Sequence, residues 1–197
     1  MTYNSRVDQV LHNLENIAKK QGLPSIGPVK GKILAGIVNK YKPKMILEIG
    51  TLHGYSAILM ANMLPDDGKL LTMEKDVNLF DIAIKNVGDA GLSHIIEVIN
   101  IDGLNGIPRL QDHKFDLMFL DAIKSDYLKY LNLAEENNLL SDRAVIVADN
   151  VLLYENEMQD YLKYVRASGR YRSQSSQTTL EFTKNVKDAL EVSVRND

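Results

Sequence analysis

Between residues 45 and 149 short apolar runs alternate with segments of helical period. The runs MILEI (45–49), KLLTME (69–74), IIEVINI (95–101), FDLMFLD (115–121) and AVIVAD (144–149) have the length and aliphatic content of buried strands. Each is followed by a stretch whose apolar residues recur at helical spacing: 55–64, 77–91, around 104–112, 127–138 and around 156–167. Upstream, residues 5–20 place Val7, Val10, Leu11, Leu14 and Ile17 on one helical face, ended by Gly22 and Pro24. Residues 28–41 open on Pro28 and carry Ile33, Leu34, Ile37 and Val38 on one face, closed by Pro43. Two last strands, 171–181 and 189–195, are joined by the turn-like TKNVKD with no helix between them, which predicts an antiparallel hairpin at or near a sheet edge.

Strand–helix alternation of this kind predicts a parallel sheet covered on both faces. The expected fold is α/β: a Rossmann-like, doubly wound, mostly parallel seven-stranded sheet with an antiparallel C-terminal strand and an N-terminal helical extension. Its 197 residues fit a single domain, with 1–42 as the extension and 43–197 as the core. There is no repeat, low-complexity tract or long linker.

Composition narrows the class. Cysteine is absent, which excludes disulfides and thiolate metal sites. There is no apolar run of membrane-spanning length, and MTYNSRVDQVL has no apolar signal core, so the expected location is the cytoplasm without membrane contact. The net charge of −3 conceals an asymmetry. Residues 1–44 hold eight Lys/Arg against two Asp/Glu (+6), and the remainder 15 against 24 (−9). A basic segment on an acidic body can be a footprint for a polyanion, but solvated amphipathic helices explain it more simply. The first helix, rich in Val and Leu, would bury its face either on its own core or on a second subunit of a homodimer.

The chemistry gathers at the strand ends. In a doubly wound sheet ligands bind beyond the carboxyl ends of the strands. Here those ends carry Glu48, Glu74, Asp102, Asp121 and Asp149. Any one of them could cap a helix, but five together repel unless a cation sits among them. The first turn, EIGTLHGYSA, puts Gly50 and Gly54 between strand and helix without completing G-x-G-x-x-G, so a dinucleotide pyrophosphate is not supported. Glu74, 24 residues beyond Gly50, stands where an acid accepts hydrogen bonds from ribose hydroxyls. A nucleoside without an obligatory phosphate, and with a positive sulfonium suited to an acidic rim, describes S-adenosylmethionine.

Asp121, Asp149 and Asn150 end adjacent strands, whose spacing of roughly 5 Å lets the three side chains converge on one ion. Two carboxylates and a carboxamide suit Mg²⁺, or another hard dication such as Mn²⁺ or Ca²⁺, better than zinc. The competing reading has Asp149–Asn150 capping a helix and Asp121 pairing with Lys124. A lysine beside a dication is disfavoured in its charged form and can then take a proton from a hydroxyl that the metal has made more acidic. Lys124 is therefore the candidate base. The histidines do not cluster, and the tyrosines at 127, 130, 161 and 164 fall at helical spacing and read as packing.

GPVKGKILAGIVNKYKPKMILEIG, GYSA, LLTMEKD, FLDAIKSDY, VIVADN and TTLEFTKNVKDALEVSV together resemble the cation-dependent, catechol O-methyltransferase-like group of S-adenosylmethionine-dependent methyltransferases, over nearly the whole chain. The resemblance implies a class I methyltransferase fold, metal ligands at Asp121, Asp149 and Asn150, and Lys124 as base. It also implies a ribose contact at Glu74, and methionine contacts around Glu48, Gly50, Ser56 and the backbone near Ile26. Asp121 is carried as a cofactor contact too. Against adenine the family places small polar groups, where this chain has Asp102, Gly103 and Leu104, so Asp102 and Gly103 are carried as cofactor-binding candidates. Catechol enzymes of the group hold the second substrate hydroxyl with an acid near the C-terminus. Alignment puts Arg172 there, and Ala122 and Ile123 replace a bulky pair that flanks the ring.

The leading expectation is thus a small-molecule O-methyltransferase acting on a chelated pair of adjacent oxygens. The alternative is methylation of 5-hydroxyuridine in tRNA, with Arg166, Arg170, Arg172 and the basic N-terminal segment contacting phosphates. A non-catalytic nucleoside-binding or NAD-dependent protein is disfavoured by the intact Asp-Asp-Asn-Lys set and by the missing glycine motif.

Overall fold

The computed structural model describes residues 5–183 and 185–196; Lys184, in the expected C-terminal turn, lies outside them. Seven strands form one sheet in the order β3-β2-β1-β4-β5-β7-β6. They are β1 (Met45–Ile49), β2 (Lys69–Glu74), β3 (Ile96–Asn100), β4 (Phe115–Leu120), β5 (Leu140–Ala148), β6 (Tyr171–Thr179) and β7 (Lys187–Arg195). β1 to β5 are parallel, and β7 runs antiparallel between β5 and the edge strand β6. The expected hairpin is present, with the later strand inside. β6 is a Ser/Gln/Thr-rich strand with alternate burial, which suits an edge that must not recruit another sheet.

The helices are α1 (Ser5–Gln21), α2 (Gly27–Tyr41), α3 (Tyr55–Ala61), α4 (Val77–Asp89), α5 (Gly103–Gly106), α6 (Tyr127–Glu136) and α7 (Gln159–Ala167). They cover both faces of the sheet. Leu47, Met118 and Ile146 face one core with Tyr127, Leu131 and Tyr161. Their strand neighbours Ile46, Leu117 and Val145 face the other with Leu34, Ile58 and Val87. Burial on both sides is why the central strands read as unbroken apolar runs. α1 buries Val7, Leu14 and Ala18 within this chain, against α3 and α4, while Ile17 of the expected apolar stripe is exposed. Among the described residues no helix is long and apolar enough to cross a membrane.

Two elements differ from expectation for visible reasons. The helix expected around 104–112 is a four-residue turn of α5 followed by a 3₁₀ turn, Ile107–Arg109, because Pro108 supplies no backbone N–H to continue it. β5 starts four residues earlier than its apolar run. It opens on the buried Leu140, then the half-buried Ser141 and the exposed Asp142 and Arg143, where its pairing with β4 shifts register.

Strand order reverses between β1 and β4, and the crevice at that switch point lies over Gly50 and Asp121. Gly50 N–H donates to the Met73 carbonyl, and Asp121 N–H to that of Ile49. Gly50 has φ 98°, and a Cβ there would lie 2.3 Å from the Asp121 carbonyl oxygen. Both conformation and contact demand glycine. Gly50→Ala is expected to destabilise the fold by about 2–3 kcal/mol, measurable by urea unfolding; a loss below about 0.5 kcal/mol would show that the two strand ends separate freely.

Candidate active site

The carboxyl ends of β1, β2, β4 and β5 open into a cavity of about 550 Å³. Every site residue expected from sequence lines it except Glu48: Ile26, Gly50, Ser56, Glu74, Asp102, Gly103, Asp121, Lys124, Asp149 and Asn150. The α1–α2 connection closes one side through Leu23, Pro24 and Ser25. The segment after β6 closes another through Leu180, Glu181 and Phe182.

On the β1–β2 side, Glu74 is fixed by backbone donors, Leu52 N–H to Oε2 at 2.9 Å and Asp76 N–H to Oε1 at 3.0 Å. Each oxygen keeps a lone pair for a further donor. Asp102 caps α5, accepting from Leu104 N–H at 2.9 Å, so the helix-cap reading holds for it while it also lines the cavity. Glu48 is fully buried behind Ser56, whose hydroxyl donates to its Oε1. Its Oε2 has no partner. Burial pushes the Glu48 carboxyl up to about 8, with Asp121 and Glu74 adding to the rise and the hydrogen bond from Ser56 opposing it.

On the β4–β5 side, Lys124 Nζ lies 2.9 Å from Asp121 Oδ1 and 2.9 Å from the Tyr127 hydroxyl. That hydroxyl donates to the Asp149 carbonyl at 3.3 Å. Burial, then Asp121 and Asp149, raises the Tyr127 phenol well above its ordinary value, so it stays neutral. Tyr127 thus does more than pack. Its place three residues after Lys124 in FLDAIKSDY was the available sign, since that spacing sets two side chains on one face of a helical turn.

A second cation sits among the acids. Lys30 of α2 is 1% exposed, and its Nζ lies 2.6 and 2.8 Å from the two oxygens of Asp149 and 2.9 Å from Asp188 Oδ2. Burial opposes its charge, but Asp149 and Asp188 outweigh burial and hold its pKa above the usual value. The Asp149 carboxyl is pushed up, first by burial and next by the charge of Asp121. Sequence reading missed Lys30 by counting it with the basic surface. The sign was its register: Lys30, Leu34 and Ile37 share one face of α2, and all three are buried.

Asp121 and Asp149 therefore repel across a poorly hydrated wall beside the Asn150 carboxamide. This all-oxygen set fits a hard dication. Among the described residues no three His, Cys, Asp or Glu side chains are grouped to hold a metal, so a three-ligand site there needs the Asn150 oxygen.

The C-terminal segment corrects the alignment. Arg172 lies exposed on β6, paired with Val194, and is not part of the cavity wall. The acid that reaches the cavity from this segment is Glu181, whose Oε1 accepts from Val29 N–H at 2.5 Å and Lys30 N–H at 2.9 Å at the start of α2. Two of the three arginines read as phosphate contacts are engaged elsewhere. Arg166 forms a two-pronged pair with the buried Glu191, at 2.8 Å on each prong, and Arg170 lies 3.5 Å from Glu135.

Comparison with known proteins gives this arrangement relatives. Catechol O-methyltransferase B of Danio rerio is 36% identical over 174 residues, covering 86% of this chain and 65% of that protein. Catechol O-methyltransferase of Mus musculus is 34% identical over 181 residues, covering 90% and 67%. The chain thus spans about two thirds of the length of these relatives. Among solved structures, an O-methyltransferase from Bacillus cereus in complex with SAH superposes with a TM-score of 0.82 at 27% identity, covering 100% of this chain and 93% of that one. TomG, an O-methyltransferase from Streptomyces achromogenes in complex with SAM, gives 0.81 at 26% identity, covering 96% and 91%. The sequence pattern of the O-methyltransferase family matches residues 2–190. On a seven-stranded doubly wound sheet with an acid-lined crevice at its switch point, that match leaves one assignment: this chain belongs to the O-methyltransferase family.

Proposed function

We propose that the chain transfers a methyl group from S-adenosylmethionine to one hydroxyl of a small aromatic acceptor carrying two adjacent oxygens, with Mg²⁺ or a similar dication held by Asp121, Asp149 and Asn150. The observation that carries this reading is that those three side chains and Lys124 line the same cavity as Gly50, Ser56 and Glu74. Its support from relatives is the SAH and SAM bound to the two structural neighbours.

The donor's ribose hydroxyls would bond to Glu74 and its methionine end would lie along Gly50, Ser56 and the Ile26 backbone, with Glu48 behind Ser56. Its adenine would reach Asp102 and Gly103. A dication in the site would supply Lewis acidity, easing deprotonation of an adjacent hydroxyl. Lys124, held by Asp121 and Tyr127, receives that proton at Nζ. The oxygen's electron pair then forms the bond to the methyl carbon while the carbon–sulfur bond breaks, leaving its pair on sulfur as S-adenosylhomocysteine. The cavity's share is alignment of the three atoms and exclusion of water.

The acceptor end favours an aromatic ring. Ile123, Leu153, Tyr154 and Phe182 line the cavity and are each more than a third exposed. Tyr154 and Phe182 supply from other loops the aromatic surface missing between Asp121 and Lys124. Glu181 offers an acceptor for the second hydroxyl.

The test is methyl transfer from labelled S-adenosylmethionine with Mg²⁺ to a catechol panel and, in parallel, to tRNA from a strain lacking the gene. Label is expected in the phenolic products and should fall to background in EDTA. Label confined to RNA would replace the acceptor, and undiminished activity in EDTA would remove the metal.

A further inference from the structure

We propose that Asp188 and Lys30 are positioning residues for the cation site: Asp188 fixes the Asn150 carboxamide with its oxygen toward the cavity, and Lys30 ties Asp188 to Asp149. The inference rests on reading Asp121, Asp149 and Asn150 as the ligand set.

Asp188 lies on β7 and is fully buried. Its Oδ2 accepts from Asn150 Nδ2 at 2.8 Å and from Lys30 Nζ at 2.9 Å, and its Oδ1 from Leu153 N–H at 3.2 Å. An ionised carboxylate only accepts hydrogen bonds. Facing one, the carboxamide must present nitrogen, and its oxygen is turned away from Asp188. Without that partner the two orientations of an amide are nearly equivalent, and one aims an NH₂ group at the cation. The backbone helps. Asn150 has φ 63°, a left-handed conformation that Asn tolerates, and its N–H donates to Asp149 Oδ1 at 2.7 Å. Lys30 then bonds both oxygens of Asp149. Three elements (α2, the end of β5 and β7) are thus tied into one unit around two candidate ligands. A buried ion network of this kind adds little net stability over an apolar core, so orientation is the function that accounts for it.

The discriminating variant is Asp188→Asn. A carboxamide at 188 can donate to Asn150 as well as accept from it, which frees the ligand amide to turn over. Mn²⁺ binding to the full chain, followed by the free-ion electron paramagnetic resonance signal, is expected to weaken about 10–100-fold, the range for loss of a partner that orients a ligand. Affinity for S-adenosylhomocysteine in EDTA should stay within about twofold of wild type. Equal Mn²⁺ affinity in a folded Asp188→Asn protein overturns the proposal. So does a matching loss of S-adenosylhomocysteine affinity, which would make Asp188 a general staple of the core. If wild type binds no Mn²⁺, the ligand-set reading itself fails, and this inference with it. Should the variant not fold, wild type decides by NMR. A Mg²⁺ titration should shift the Asn150 side-chain carbonyl carbon while its NH₂ stays protected from exchange, and loss of that protection on Mg²⁺ addition overturns the proposal.

Discussion

Lys124→Ala is expected to lower kcat by about 10²–10⁴-fold, the usual contribution of a positioned acid or base, while leaving donor affinity near that of wild type. The expectation follows from where the side chain sits. Lys124 Nζ lies between Asp121 Oδ1 and the Tyr127 hydroxyl, both at 2.9 Å, and lines the cavity without bonding Ser56 or Glu74, the candidate donor contacts. Its side chain is 13% exposed, so the loss opens room for water rather than a buried void. If Lys124 were only the partner of a surface carboxylate, the change would cost little, since such pairs contribute about 0–1 kcal/mol. The measurements are single-turnover methyl transfer with Mg²⁺ and, separately, titration with S-adenosylhomocysteine. A rate within tenfold of wild type would remove Lys124 from the chemistry. A large loss of affinity would make it structural. Added ethylamine should recover part of the lost rate, because a small amine can occupy the vacated volume and take the proton.

What the sequence disclosed, and what it hid, divides along a physical line. Strands buried on both faces announced themselves as apolar runs, and the polar residues interrupting them at their ends could only be there for a ligand, a cap or an ion. That logic reached Glu74, Asp121, Lys124, Asp149 and Asn150, all on the cavity wall. Residues acting from a distance along the chain stayed hidden. Lys30 and Asp188 lie 119 and 39 positions from Asp149, and only the assembled sheet brings them to it. Glu181 was lost to an alignment that took the exposed Arg172 of β6 for the cavity residue, because a polar strand and the turn after it carry no burial pattern to fix register. The basic N-terminal segment misled in the opposite way. Sequence counts charge without direction, and one of its eight cations points into the core.

The pH dependence of stability should carry the mark of Glu48. The carboxyl is fully buried with one oxygen unpartnered, and burial lifts it from 4.5 to about 8. The folded state therefore binds this proton more tightly than the unfolded chain. Stability from Glu48 is fully present below about pH 4.5 and declines as pH rises through 8, because the unfolded chain gives up the proton first. At about 1.4 kcal/mol per unit, the full swing is roughly 5 kcal/mol, an upper bound since water entry and neighbouring cations soften it. Glu48→Gln keeps the shape of the neutral acid and removes the titration. Wild type and Glu48→Gln should thus be similarly stable near pH 5, with wild type falling behind by several kcal/mol near pH 9, read from urea unfolding at each pH. A gap that stays constant across that range would mean the carboxyl is ionised in the folded protein throughout.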